Sequence, residues 1–128
     1  QTAAFLFPKI QYTGISSNIA APSSITEYVF CIINVIVCAY YEEVLYRQYL
    51  PLNLYDFYSD KDRISILVEA FPVLFFAASH LYLGWIGVLN ALLCGIILRR
   101  CAVKTGSIYI GTAVHIIYNL FMFLVIAR

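Results

Sequence analysis

Tyr28-Val29-Phe30-Cys31-Ile32-Ile33-Asn34-Val35-Ile36-Val37-Cys38-Ala39-Tyr40-Tyr41 runs apolar for fourteen residues, then meets Glu42-Glu43-Val44-Leu45-Tyr46-Arg47. A helix that crosses a bilayer needs roughly 20 residues. To span, this one must continue through Glu42, Glu43 and Arg47 to about Leu50, where Pro51 favours a stop. Two carboxylates and an arginine are thereby carried into the hydrocarbon or to its edge. Each costs about 2.5–3.5 kcal/mol there, so such groups face a cavity or a partner and mark function. Arg47 follows Glu43 by one turn, in the favourable acid-before-base order. Glu42 is left as the less obviously paired carboxylate. The competing reading is a plain ion pair at the membrane edge.

Composition fixes the class around that stretch. The 128 residues are 62% hydrophobic and 12% charged, against about 25% charged in soluble domains. The chain reads as an all-α, multi-pass bundle with about four membrane helices, its partner surface the lipid bilayer. A net charge of +1 gives no footprint for nucleic acid. By length it is one domain. Residues 1–24 read as a loop or the remnant of a preceding helix, and residues 25–128 as the core.

Four apolar segments follow the loop. The first covers about Thr26 to Leu50, with Ser24 or Thr26 as cap and Glu27 in its first turn. The second covers about Ile64 to Leu83 with Pro72 inside it, the third Trp85 to Leu98, and the fourth Ser107 to Ala127. A polar loop, Tyr55 to Arg63, and a basic turn, Arg99 to Gly106, fall on one side. They carry Lys61, Arg63, Arg99, Arg100 and Lys104, which the positive-inside rule makes cytoplasmic. Gly87, Ala91 and Gly95 form a small-residue stripe that lets a neighbouring helix approach. Cys31 and Cys38, like Cys94 and Cys101, lie two turns apart, about 10.5 Å, too far for a disulfide within one helix. All four read as buried apolar residues.

Polar groups recur inside the later segments. His80 follows Phe76 by one turn, and Asn119 follows His115 by one turn. A lone histidine in a helix is commonly a satisfied core residue. Two of them, with an amide and an acidic pair, point instead to a shared interior site. A carboxylate and an imidazole on one water make a general base. A second imidazole and an amide donate to an oxyanion. Alternatively, two histidines and a glutamate hold zinc with one position open for water. Either arrangement hydrolyses an amide. A buried Glu/His chain also serves proton relays and transporters. The zinc-protease HExxH and the Gly-x-Ser-x-Gly elbow are both absent.

Glu42-Glu43-x-x-x-Arg47, Phe76-x-x-x-His80 and His115-x-x-x-Asn119 together resemble the three motifs of the CPBP intramembrane proteases. This family comprises CAAX prenyl endopeptidases and bacteriocin-processing or self-immunity proteins, also called Abi. The Thr105-Gly106-Ser107 turn fits as well, and the resemblance spans about Tyr28 to Phe123. It implies a membrane endopeptidase of a bacterial cell membrane acting on a peptide or protein, in bacteriocin processing or self-immunity among other roles. Its alternative is a non-proteolytic immunity or binding protein that keeps the motifs. Carried over by motif, Glu42 and His80 activate water, His115 and Asn119 stabilise the oxyanion, and Glu43 with Arg47 orients the site. If zinc is the cofactor, the resemblance assigns Glu42, His80 and His115 as its ligands.

The helix lengths leave one mismatch of depth. Glu42 lies eight residues from Leu50, and His80 sixteen from Ile64. A straight second helix therefore puts His80 about 12 Å deeper. A helix that begins near Glu69, with Pro72 in its first turn, or a strong tilt, removes the conflict.

Overall fold

The computed structural model describes residues 22–57 and 61–126, with side chains at 22–57 and 66–125. Among these residues every regular element is helical. Helix α1 (Ile25–Glu43) passes into a π-helical segment (Val44–Tyr49) and then α2 (Leu50–Phe57). Helices α3 (Lys61–Ser79), α4 (Gly84–Thr105) and α5 (Ile108–Ile126) follow. Ser24 caps α1, its Oγ accepting from the Glu27 N–H at 3.3 Å. The Glu27 carboxylate answers by accepting from the Ser23 N–H at 2.7 Å.

Among the described residues three stretches are long and apolar enough to cross a membrane: Ile25–Phe57, Leu81–Thr105 and Ile108–Val125. The apolar part of α3, Ile66–Ser79, is shorter. Fourteen residues give about 21 Å of helix, below the ~30 Å hydrocarbon core. Large apolar side chains stay exposed on the outer faces of α1, α3, α4 and α5, Ile33, Leu74, Leu93 and Ile117 among them. Lipid is the solvent that tolerates such a surface.

The first helix does not stop at Pro51. Proline has no N–H to return to the carbonyl of residue i−4, here Arg47. The chain absorbs this with a π-helical turn, in which the Leu50 N–H reaches back to the Leu45 carbonyl. The Arg47 carbonyl instead accepts from Nη1 of Arg99 on α4 at 3.0 Å. Arg99 also grips the Glu69 carboxylate of α3 through Nε and Nη2, at 2.8 and 2.6 Å. One guanidinium thus ties three elements together at the level of the motif residues.

Helix α3 runs unbroken from Lys61 through Pro72, which is fully buried, and does not start near Glu69. The depth mismatch is halved from the other side. Because the first helix reaches Phe57, Glu42 lies fifteen residues from its end (57 − 42), and His80 lies nineteen from Lys61 (80 − 61). The difference of four residues is about 6 Å. The helix ends at Ser79, and His80 opens a short 3₁₀ turn, Leu81–Leu83. Gly84 then takes a φ of 75° that starts α4.

The sequence stretch Arg99 to Thr105 is helical rather than a turn, because Gly106 at φ 65° supplies the left-handed cap. Its N–H bonds the Ala102 carbonyl at 2.9 Å. Of the small-residue stripe, Ala91 and Gly95 are buried. A Cβ at Gly95 would stand 3.2 Å from Phe76 and 3.3 Å from Val73, so the glycine sets the α3–α4 approach. Gly87 faces Leu83 of its own turn instead. The cysteines are free thiols, and none is wholly buried: Cys38 is exposed, and Cys31, Cys94 and Cys101 are half-buried. A thiol is apolar enough to sit against lipid, which is why its burial is not required.

Candidate active site

The motif residues meet where α1, the π segment, α3 and α5 converge. Glu43 is the last residue of α1 and wholly buried, and Arg47, one turn on, is 4% exposed. Arg47 Nε lies 3.5 Å from Glu43 Oε2. The guanidinium carbon stands 4.2 Å over the Phe76 ring, a desolvated cation–π contact of the strong kind. Among the described residues no oxygen satisfies the hydrogen-bonding geometry of the Arg47 nitrogens. Its charge rests on Glu43 and the ring face.

His115 is buried on α5 and held between both carboxylates. Its Nδ1–H donates to Glu43 Oε1 at 2.8 Å, since a carboxylate can only accept. Its Nε2 faces Glu42 Oε2 at 3.6 Å. Neighbouring helical residues diverge by about 100°, so Glu42 and Glu43 share a partner only if it sits between them. The two opposed nitrogens of an imidazole meet that demand. Glu42 keeps about a quarter of its side chain exposed, and is the more accessible of the two carboxylates. Gly111, one turn before His115, makes room: a Cβ there would stand 3.3 Å from Glu43 Oε2.

Phe76 is the hub beneath these groups. It is 2% exposed, and its ring centre lies 4.7 Å from that of His80, 5.1 Å from Tyr46 and 6.0 Å from His115. The half-buried His80 donates from Nδ1 to the Phe76 carbonyl at 2.8 Å. That bond fixes the tautomer and leaves Nε2 as the basic nitrogen. Tyr82 stacks on His80 at 6.2 Å.

Glu42, Glu43, Arg47 and His115 form one contiguous set, and His80 joins it through Phe76. Asn119 is half-buried one turn after His115. Among the described residues no hydrogen bond or ion pair links it to the others. The zinc set is not assembled: among the described residues no three His, Cys, Asp or Glu side chains converge on a metal position. The nitrogens of His115 already face two carboxylates, and Nδ1 of His80 faces a carbonyl. Sequence reasoning missed Arg99, Gly111 and the central place of Phe76. Only the Phe76-to-His80 spacing of one turn hinted at the last.

The model of one protein family, described as Type II CAAX prenyl endopeptidase Rce1-like, matches residues 24–121. Comparison with curated proteins and with solved structures returns no match.

Proposed function

Because this chain belongs to the Rce1-like family of type II CAAX prenyl endopeptidases, we propose that it hydrolyses a peptide bond at the membrane, with Glu42 as general base. The observation that carries the reading is His115 clamped between Glu42 and Glu43 over the Phe76 ring. A purely structural ion pair needs no second carboxylate, and none that is left accessible.

In this mechanism Glu42 takes a proton from a water, helped by the free Nε2 of His80, and the water oxygen attacks the carbonyl carbon. The new oxyanion accepts hydrogen bonds from His115 and Asn119. The C–N bond then breaks, and Glu42 returns its proton to the departing amine. With Nδ1–H of His115 committed to Glu43, the bond to the oxyanion requires a second proton, on Nε2. Glu43 and Arg47 hold His115 in place and do not touch the substrate.

The substrate is a peptide or protein delivered at the bilayer, with the prenylated C-terminal peptide first. A bacteriocin leader or a self-immunity target are further members of the same class. A panel of farnesylated and unmodified peptides, presented to the protein in liposomes, tests this. We expect cleavage within the farnesylated set, lost in His115→Ala. Retained binding of a partner protein without any cleavage would favour the immunity reading, with the motifs kept for packing.

A further inference from the structure

Helices α3 and α4 flank an open cavity of about 660 Å³ that none of the motif residues lines. Its walls are apolar along its length, with Ala70 and Leu74 on α3 facing Leu92 and Ile96 on α4. One end is different: Arg99, Arg100 and Lys104 gather there, with Glu69 as the only acid in the lining. Glu69 is already neutralised by Arg99. Arg100 and Lys104 are exposed, one turn apart, and among the described residues neither is ion-paired.

The cavity also has a direction. Helix α4 spans Gly84–Thr105, so Lys104 lies at one membrane edge and Leu92 near the helix middle. Twelve residues separate them, about 18 Å, slightly over half of a ~30 Å hydrocarbon core. Helix α3 runs the opposite way along the same slot, from Ile66 near the edge to Leu74 deeper. The slot is thus polar at the interface, apolar to mid-bilayer, and open sideways to lipid. It matches one leaflet's lipid in depth and polarity.

We propose that this groove is a binding site for an anionic phospholipid of the leaflet on the basic side. An acyl chain lies between α3 and α4, and the headgroup phosphate is held by Arg100 and Lys104. Two cations near the surface favour an anionic over a zwitterionic headgroup by about tenfold to thirtyfold. The carbonyl end of α4 opposes an anion, and the two side-chain charges outweigh that partial charge.

The test places the whole protein in nanodiscs of phosphatidylglycerol and phosphatidylcholine with identical chains, extracts it gently and measures retained lipid by mass spectrometry. We expect phosphatidylglycerol to be enriched about tenfold or more, and Arg100→Gln with Lys104→Gln to bring the ratio near one. Ala70→Trp fills the slot with both cations intact, and should lower retention of both lipids. An unchanged ratio in the double variant overturns the proposal. So does equal displacement by glycerol phosphate, which would make the site one for phosphate alone. Preferential displacement by a farnesylated peptide would assign the groove to substrate and overturn it too. If the double variant fails to fold, Ala70→Trp with unaltered lipid retention decides against the site.

Discussion

Nδ1 of His115 donates to Oε1 of Glu43 at 2.8 Å, joining α5 to the end of α1 across 72 residues of chain. Glu43 therefore has two cationic or donor partners, Arg47 and His115, inside a site that excludes solvent. A buried carboxylate so placed is costly to strand.

Removing Arg47 leaves Glu43 with its charge half-compensated. Breaking a buried pair by deleting one partner costs about 3–5 kcal/mol. Arg47→Ala is expected to lower folded yield and thermal stability by that order. Glu43→Gln combined with Arg47→Met should recover part of the loss, measured by thermal unfolding in detergent. A double variant no better than the worse single variant contradicts the pairing.

Gly111 gives a test that separates geometry from stability. An added methyl would press Glu43 Oε2 at 3.3 Å, shifting the acceptor that orients His115 while disturbing little else. Gly111→Ala should fold with near-normal melting yet turn over about tenfold or more slowly, since small misplacements carry large rate costs. Gly95→Val, against Phe76 and Val73, should show the opposite balance, with about 1–3 kcal/mol lost to overpacking.

The Arg99 bridge can be read with Pro51. Arg99→Leu removes the donor to the Arg47 carbonyl, and a buried acceptor left unpaired costs about 1–3 kcal/mol. Pro51→Ala restores a backbone N–H at the position an α-helix would use. The double variant should melt higher than Arg99→Leu alone. No recovery would mean that Arg99 acts only through Glu69.

Why Pro51 could not be read in advance is instructive. A proline after Leu50 is locally a stop signal, and the donor that replaces its missing N–H at the Arg47 carbonyl sits on α4, fifty-two residues beyond Arg47. No local pattern carries that information. Cys38 and Cys101 show the same limit: the type of side chain suits a buried position, but lipid exposure suits it equally. The parts that were legible depend on one-turn spacings. Glu43 with Arg47 and Phe76 with His80 each lie four apart on a helix, and periodicity brings them together without knowledge of the fold. The joining of Glu43 to His115 is tertiary, and only the packing of α5 against α1 reveals it.

In the proposed mechanism Asn119 donates to the oxyanion. Asn119→Ala should slow turnover by roughly 10²–10³ with KM little changed, the usual loss for one such donor. The same proteins address metal use: loss of activity to a strong chelator and return on adding zinc would place a metal in the reaction.

The most direct test of the account is cleavage of a farnesylated peptide by Glu42→Gln in liposomes, beside the unaltered protein. Glutamine keeps the shape of the side chain and removes its basicity. The variant should fold and melt like the parent and lose about 10²–10⁴ in rate, the contribution of a positioned general base. Cleavage at the parent rate would contradict the role of Glu42 and the mechanism built on it.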